Sequence, residues 1–186
     1  MKKMQTRDMV LAAILTALVV ILQFLGAFIK IGTFSISAVL VPIVIGAATC
    51  GVGVGAWLGL VFGMIVLLSG DAALFLAVNV PGTIITVLLK GTLCGLFAGA
   101  AYKALEKVNK VVATVAAAIV CPVVNTGIFL LGCVAFFLPT VTEWAGGQNV
   151  AQYMIVGFVG INFIIEMGVN IVLSPVIVRL LNIRKK

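Results

Sequence analysis

The chain has no histidine, and among its 186 residues it carries only 12 lysines and arginines, five acidic residues, two tryptophans and two tyrosines. Without histidine it lacks the commonest catalytic base and metal ligand. Nor does any serine stand beside a base, so hydrolase or intramembrane-protease chemistry has little footing. The four cysteines, Cys50, Cys94, Cys121 and Cys133, lie in apolar segments with no CxxC spacing, and they read as small packing residues rather than metal ligands or a disulfide framework. The single "KGT" triplet at Lys90 to Thr92 lacks the preceding glycine of a phosphate loop, so the chain is not itself an ATPase. No enzyme activity, cofactor or metal is expected.

So little charge cannot clothe a soluble core in a polar shell. What is present instead is a composition 63% hydrophobic with a mean hydropathy of +1.35, which marks an integral membrane protein. The length suits one all-α transmembrane domain over residues 1–186, built as a compact bundle of six helices, because each crossing takes about 20 residues. Apolar runs place the spans near 8–29, 34–49, 53–69, 83–102, 111–137 and 152–178. The opening "MKKMQTRDMVLAAILTALVVILQFLG" has too long an apolar run for a secretory signal and reads as a retained first span. Between the third and fourth spans, "GDAALFLAVNVPGT" is apolar yet punctuated by Asp71, Asn79 and Pro81, as in a buried or re-entrant loop.

Charge orients the bundle. Lys2, Lys3 and Arg7, then Lys103, Lys107 and Lys110, then Arg179, Arg184, Lys185 and Lys186 fall on one side of a six-span arrangement, with only Lys30 opposite. The positive-inside rule makes both termini cytoplasmic and turns the loops at 30–34, 70–82 and 138–150 outward. The net charge of +7 is thereby a topology signal, and nucleic-acid binding need not be invoked. Two ladders of glycines at every fourth position, Gly55, Gly59 and Gly63 and then Gly91, Gly95 and Gly99, let helix backbones approach closely in lipid. Ala13 and Ala17 in "AAILTA" repeat that spacing on the first span, for packing inside the bundle or against another protein.

A stripe of Asn162, Glu166, Asn170 and Ser174 runs along one face of the last span. An acid near the bilayer centre costs about 2.5 to 3.5 kcal/mol on insertion scales, so Glu166 should face the interior and have a partner. The stripe suits either one wall of a binding pocket or hydrogen bonding between helices. Lys90 could hold a carboxylate, pair with Glu166, or snorkel to the outer surface. Asn125 follows Pro122, whose missing N–H loosens the helix, and it could serve that kink or a pocket. Asp71, Asn79 and Thr83 border the outward loop, and Trp144 and Tyr153 suit interfacial anchoring or a lid.

In size, in six spans with both ends inside, and in the order of "AAILTA", "FSISAVLVPIVIGAATCGVGVGAWLGLVFG", "LLKGTLCGLFAG" and "NFIIEMGVNIVLSPVI", the chain resembles the substrate-binding S components of energy-coupling factor (ECF) vitamin transporters. That resemblance implies a protein of the prokaryotic plasma membrane that captures a vitamin outside and works with a transmembrane T component and two cytoplasmic ATPases. It implies a T-component docking face at Ala13 and Ala17. It also implies a substrate pocket mapping onto Lys90, Asn125, Asn162, Glu166 and Asn170, with Asp71 and Asn79 in the loop above. One interior cation with one or two anions suits a small polar molecule bearing a carboxylate plus hydroxyl or amide donors, such as pantothenate, with folate-like, pyrimidine and other vitamin ligands as alternatives, and the scarcity of tryptophan and tyrosine slightly favours an aliphatic ligand. A ligand-free membrane scaffold and a solitary secondary transporter are the competing readings; the second has little support, since no chain of interior carboxylates runs from side to side.

Overall fold

The computed structural model describes residues 6–28, 30–31, 34–35 and 38–184, with the side chains at 28, 30–37, 161–162 and 180–184 outside that description. The expectations placed on Lys2, Lys3, Lys185 and Lys186, and on the side chains of Lys30, Asn162 and Arg184, therefore lie outside the described residues. Helix α1 spans Thr6–Phe28. A minimal antiparallel ladder follows, β1 Lys30–Ile31 against β2 Phe34–Ser35. Next come α2 Leu40–Cys50, α3 Val52–Leu68, the single turn α4 Ala73–Leu76, α5 Val80–Leu105 and α6 Lys110–Phe136. The chain closes with α7 Leu138–Ala145, α8 Val150–Tyr153, a π-helical turn over Met154–Val159 and α9 Gly160–Arg184.

Among the described residues, three helices, α1, α5 and α6, are long and apolar enough to cross a membrane, and the pair Val150–Val159 and Phe163–Arg179, bent by 45°, makes a fourth if taken as one span. The two remaining apolar helices among the described residues are shorter. Helix α2 has 11 residues and begins at Leu40 rather than near 34, and α3 has 17, the length expected for 53–69. At 1.5 Å per residue they reach roughly 16 and 25 Å, short of a hydrocarbon core of about 30 Å. Gly51, at φ 100°, joins them in a single residue, a left-handed conformation that a side chain would strain. The segments expected as outward loops are also partly helical, holding α4 and α7.

The glycine ladders explain how the centre is built. Helices α3 and α5 run antiparallel with Gly55 against Gly95, Gly59 against Gly91 and Gly63 against Val87. A methyl group on Gly55 would stand 2.6 Å from the Gly95 carbonyl oxygen, so only hydrogen fits at this crossing. Helix α5 is the hub, since it also packs along α6, where Gly132 admits Thr86, and against α2. Val52 lies against Gly99, and the Cys50 thiol reaches the Asp8 carbonyl, so the α2–α3 joint, the start of α1 and the end of α5 share one end of the bundle. Lys103, Lys107 and Lys110 flank the α5–α6 turn at that end.

Asn79 has a clear structural task. Its extended backbone and side-chain oxygen, which accepts from Gly82 N at 2.9 Å, cap α5 just ahead of Pro81. Asn79→Ala is expected to lower stability by about 1 kcal/mol, read as a lower Tm in detergent. A Tm equal to the parent's would remove the capping assignment.

Candidate functional site

At the end of the bundle opposite the α2–α3 joint, a cavity of about 110 Å³ is lined by residues of α1, α3, α5, α6, the π-helical turn and α9, together with Asp71, Ala72 and Phe75. Its walls combine a small polar set with phenylalanines. From α1 comes Gln23, 2% exposed, whose Nε2 donates to the Asp71 carboxylate. A carboxylate only accepts, so this bond fixes the orientation of the amide and leaves Oε1 as its free end. Among the described residues, four buried side-chain oxygens have no hydrogen-bond partner: Gln23 Oε1, Thr86 Oγ1 and Asn125 Oδ1, whose residues line the cavity, and Asn170 Oδ1, whose residue does not. Unsatisfied buried oxygens cost about 1 to 3 kcal/mol each, and the clustering of three around one cavity is what a missing ligand or water would relieve.

Lys90 enters from α5, with its ammonium 5.7 Å from the Phe62 ring centre and 5.5 Å from that of Phe129. Two carboxylates act on it through space, Glu166 more strongly and Asp71 less. Glu166, 9% exposed, comes from α9, where the break at Gly160 follows the π-helical turn and lets Phe158, Val159, Phe163 and Glu166 reach the same cavity. Such π-type interruptions recur at functional sites because they redirect side chains without ending the helix.

Above these groups sits an aromatic cap. Phe75 in α4 packs with its ring centre 5.0 Å from that of Phe137, 5.5 Å from Phe129, 5.8 Å from Trp144 and 6.0 Å from Phe158, with edge-to-face ring angles between 75° and 88°. Tyr153 closes on Phe158 at 5.3 Å. Trp144 and Tyr153 thus pack on Phe75 and Phe158, which line the cavity.

The structure gathers Lys90, Asn125, Glu166 and Asp71 around one cavity. It sets two others apart. Asn79 caps α5. Asn170 is fully buried on α9, where its Nδ2 donates to the Glu166 carbonyl at 2.8 Å, and Ser174 Oγ in turn donates to the Asn170 carbonyl at 3.1 Å. The stripe is therefore divided: Glu166 faces the cavity, while Asn170 and Ser174 bond mainly to their own helix. Sequence reasoning passed over Gln23 and Thr86. A lone glutamine in an apolar first span was the available signal for Gln23; nothing marked Thr86. It also undervalued phenylalanine, since six of them line the cavity: Phe62, Phe75, Phe129, Phe137, Phe158 and Phe163.

Away from the cavity, Ala12, Leu15 and Val19 turn the inner face of α1 into the core, while Ala13 and Ala17 lie exposed on its outer face among Met9, Ile14, Leu18 and Ile21. That outer face is apolar and flattened by the two alanines.

Membrane-length helices around a cavity that combines a small polar set with phenylalanines define a helical membrane protein with an internal site. The family model of the ECF transporter substrate-specific component matches residues 7–178, nearly the whole chain, and the protein belongs to that family. Its members are transporter subunits rather than enzymes, so membrane transport is this chain's setting. Neither a curated protein nor a solved structure matches it.

Proposed function

We propose that this chain is the high-affinity substrate-binding subunit of an ECF-type importer, taking up a small vitamin or related micronutrient in the cavity beneath the aromatic cap. The observation that carries this reading is the set of three buried, unpartnered oxygens on Gln23, Thr86 and Asn125, all on the wall of one cavity. The grouping of three of them on one wall supports a ligand site more than a scaffold, although Asn170 Oδ1, outside the cavity, is unpartnered as well.

In this reading the capped end faces outward and the end with the α2–α3 joint and the Lys103, Lys107 and Lys110 turn is cytoplasmic, along with both termini, in a prokaryotic plasma membrane. Lys90, Asp71, Asn125 and Glu166 contact the substrate, joined by Gln23 and Thr86; Asn162 is proposed from the stripe alone. Asn170 and Asn79 support the site through α9 and α5. A T component docks on Ala13 and Ala17, and two ATPases drive release. Pantothenate, the ligand suggested by the sequence, would place its carboxylate on Lys90. Asp71 and Glu166 share the cavity wall with Lys90 and would lie beside that carboxylate.

Asn125→Ala and Glu166→Gln test the site. Each is expected to weaken binding of the co-purifying or best-binding small molecule by ~1 to 3 kcal/mol in calorimetry while the protein stays folded. Parental affinity in both variants would remove these residues from the site.

A further inference from the structure

The cavity's charge and its unused hydrogen-bonding atoms specify a ligand class. Among the described lining residues that carry formal charge, Asp71 and Glu166 are acidic and Lys90 is basic, which leaves one formal negative charge. The ammonium is further occupied by two phenylalanine faces. Of the three unpartnered atoms, Gln23 Oε1 and Asn125 Oδ1 are carbonyl oxygens, which accept only, and Thr86 Oγ1 serves in either sense. The Gln23 assignment does not depend on an arbitrary amide orientation, because its Nε2 is committed to Asp71. The remaining wall includes six phenylalanines, whose ring faces carry partial negative charge and attract cations, among aliphatic residues such as Val66 and Val87.

The net negative charge, the accepting carbonyl oxygens and the ring faces disfavour a carboxylate and receive an N–H donor or a positive charge, while Lys90 and the Thr86 hydroxyl are the groups that could meet an anion. An incoming anion would lie beside Glu166 and Asp71 and would leave the carbonyl oxygens unmet. We propose that the cavity selects a small organic cation, a protonated amine or charged nitrogen heterocycle with at least one N–H donor, and discriminates against carboxylates. The proposal rests on the binding-subunit reading and narrows it. It assigns Gln23 as a specificity residue, since its free carbonyl faces the cavity while its amide holds Asp71 in place.

The test uses the full chain purified in detergent. Binding is measured by calorimetry and thermal shift with three cationic probes (thiamine, pyridoxamine, benzylamine) and three anionic ones (pantothenate, biotin, phenylacetate). The last member of each set gives a nearly matched pair. The expected result is binding of at least one cation at least about tenfold tighter than any carboxylate, with that preference reduced in Glu166→Gln and in Gln23→Leu. If either variant fails to fold, the ranking of the six probes on the unaltered protein still decides the matter. Tighter binding of a carboxylate overturns the cation assignment and leaves the binding-subunit reading standing. Absence of binding by all three cations overturns the assignment as well. The broader reading falls separately, if no small molecule of any class is found with the purified protein.

Discussion

Replacing Ala13 and Ala17 together with tryptophan is expected to abolish uptake by cells or vesicles carrying the whole transporter, while ligand binding to the isolated chain stays at the parental level. The argument runs through the two faces of α1. Its inner face is committed to the core by Ala12, Leu15 and Val19, and near the capped end by Gln23, which reaches the cavity. Its outer face carries Ala13 and Ala17 among larger exposed apolar residues. In lipid there is no hydrophobic gain from pairing helices, so close backbone approach at small residues supplies much of the association energy. Two indole rings on that face would hold a partner helix several ångströms away without touching the cavity. Loss of binding together with uptake would show that α1 does not separate docking from capture. Retained uptake would place the docking surface elsewhere.

The second large effect is on folding. Gly59→Ala puts a methyl group onto the backbone carbonyl of Gly91, and α3 and α5 can accept it only by moving apart. Because α5 is also the hub for α6 and α2, separation at this crossing loosens the whole centre, including the wall that bears Thr86 and Lys90. The expected cost is about 1 to 3 kcal/mol for alanine and more for leucine, read as a lower Tm and poorer recovery in detergent. Gly53→Ala is the control, because nothing lies within 4 Å of a methyl group there, and it should be neutral or slightly stabilising. Equal behaviour of the two variants would contradict the account of the glycine crossing.

Membrane residence, the glycine crossings and much of the site were legible in the sequence because each rests on a strong local signal. Charge is so expensive in lipid that Lys90 and Glu166 stand out in an apolar run, and glycines at every fourth position have few other uses in a membrane helix. Helix lengths were less legible. Hydropathy alone does not say where an apolar run stops being helical, so the second span, already short over 34–49, is shorter still as α2, which begins only at Leu40. The division of the α9 stripe was hidden as well. Asn170 and Ser174 have the same spacing as Glu166, and only the backbone carbonyls they bond tell their roles apart. Gln23 lies 48 residues from Asp71, and no periodicity within one helix could link them. Phenylalanine presents a third difficulty, since in a membrane protein it is as common on the lipid face as in a pocket.

The central claim is that the cavity beneath the aromatic cap holds a small molecule. Native mass spectrometry of the detergent-purified chain, followed by identification of any released compound, tests it most directly. The account predicts a mass increment corresponding to one bound small molecule, diminished in Asn125→Ala. A folded protein that stays unliganded after purification and after exposure to a panel of vitamins and amines would contradict it, and would return Glu166 and Lys90 to a purely structural role.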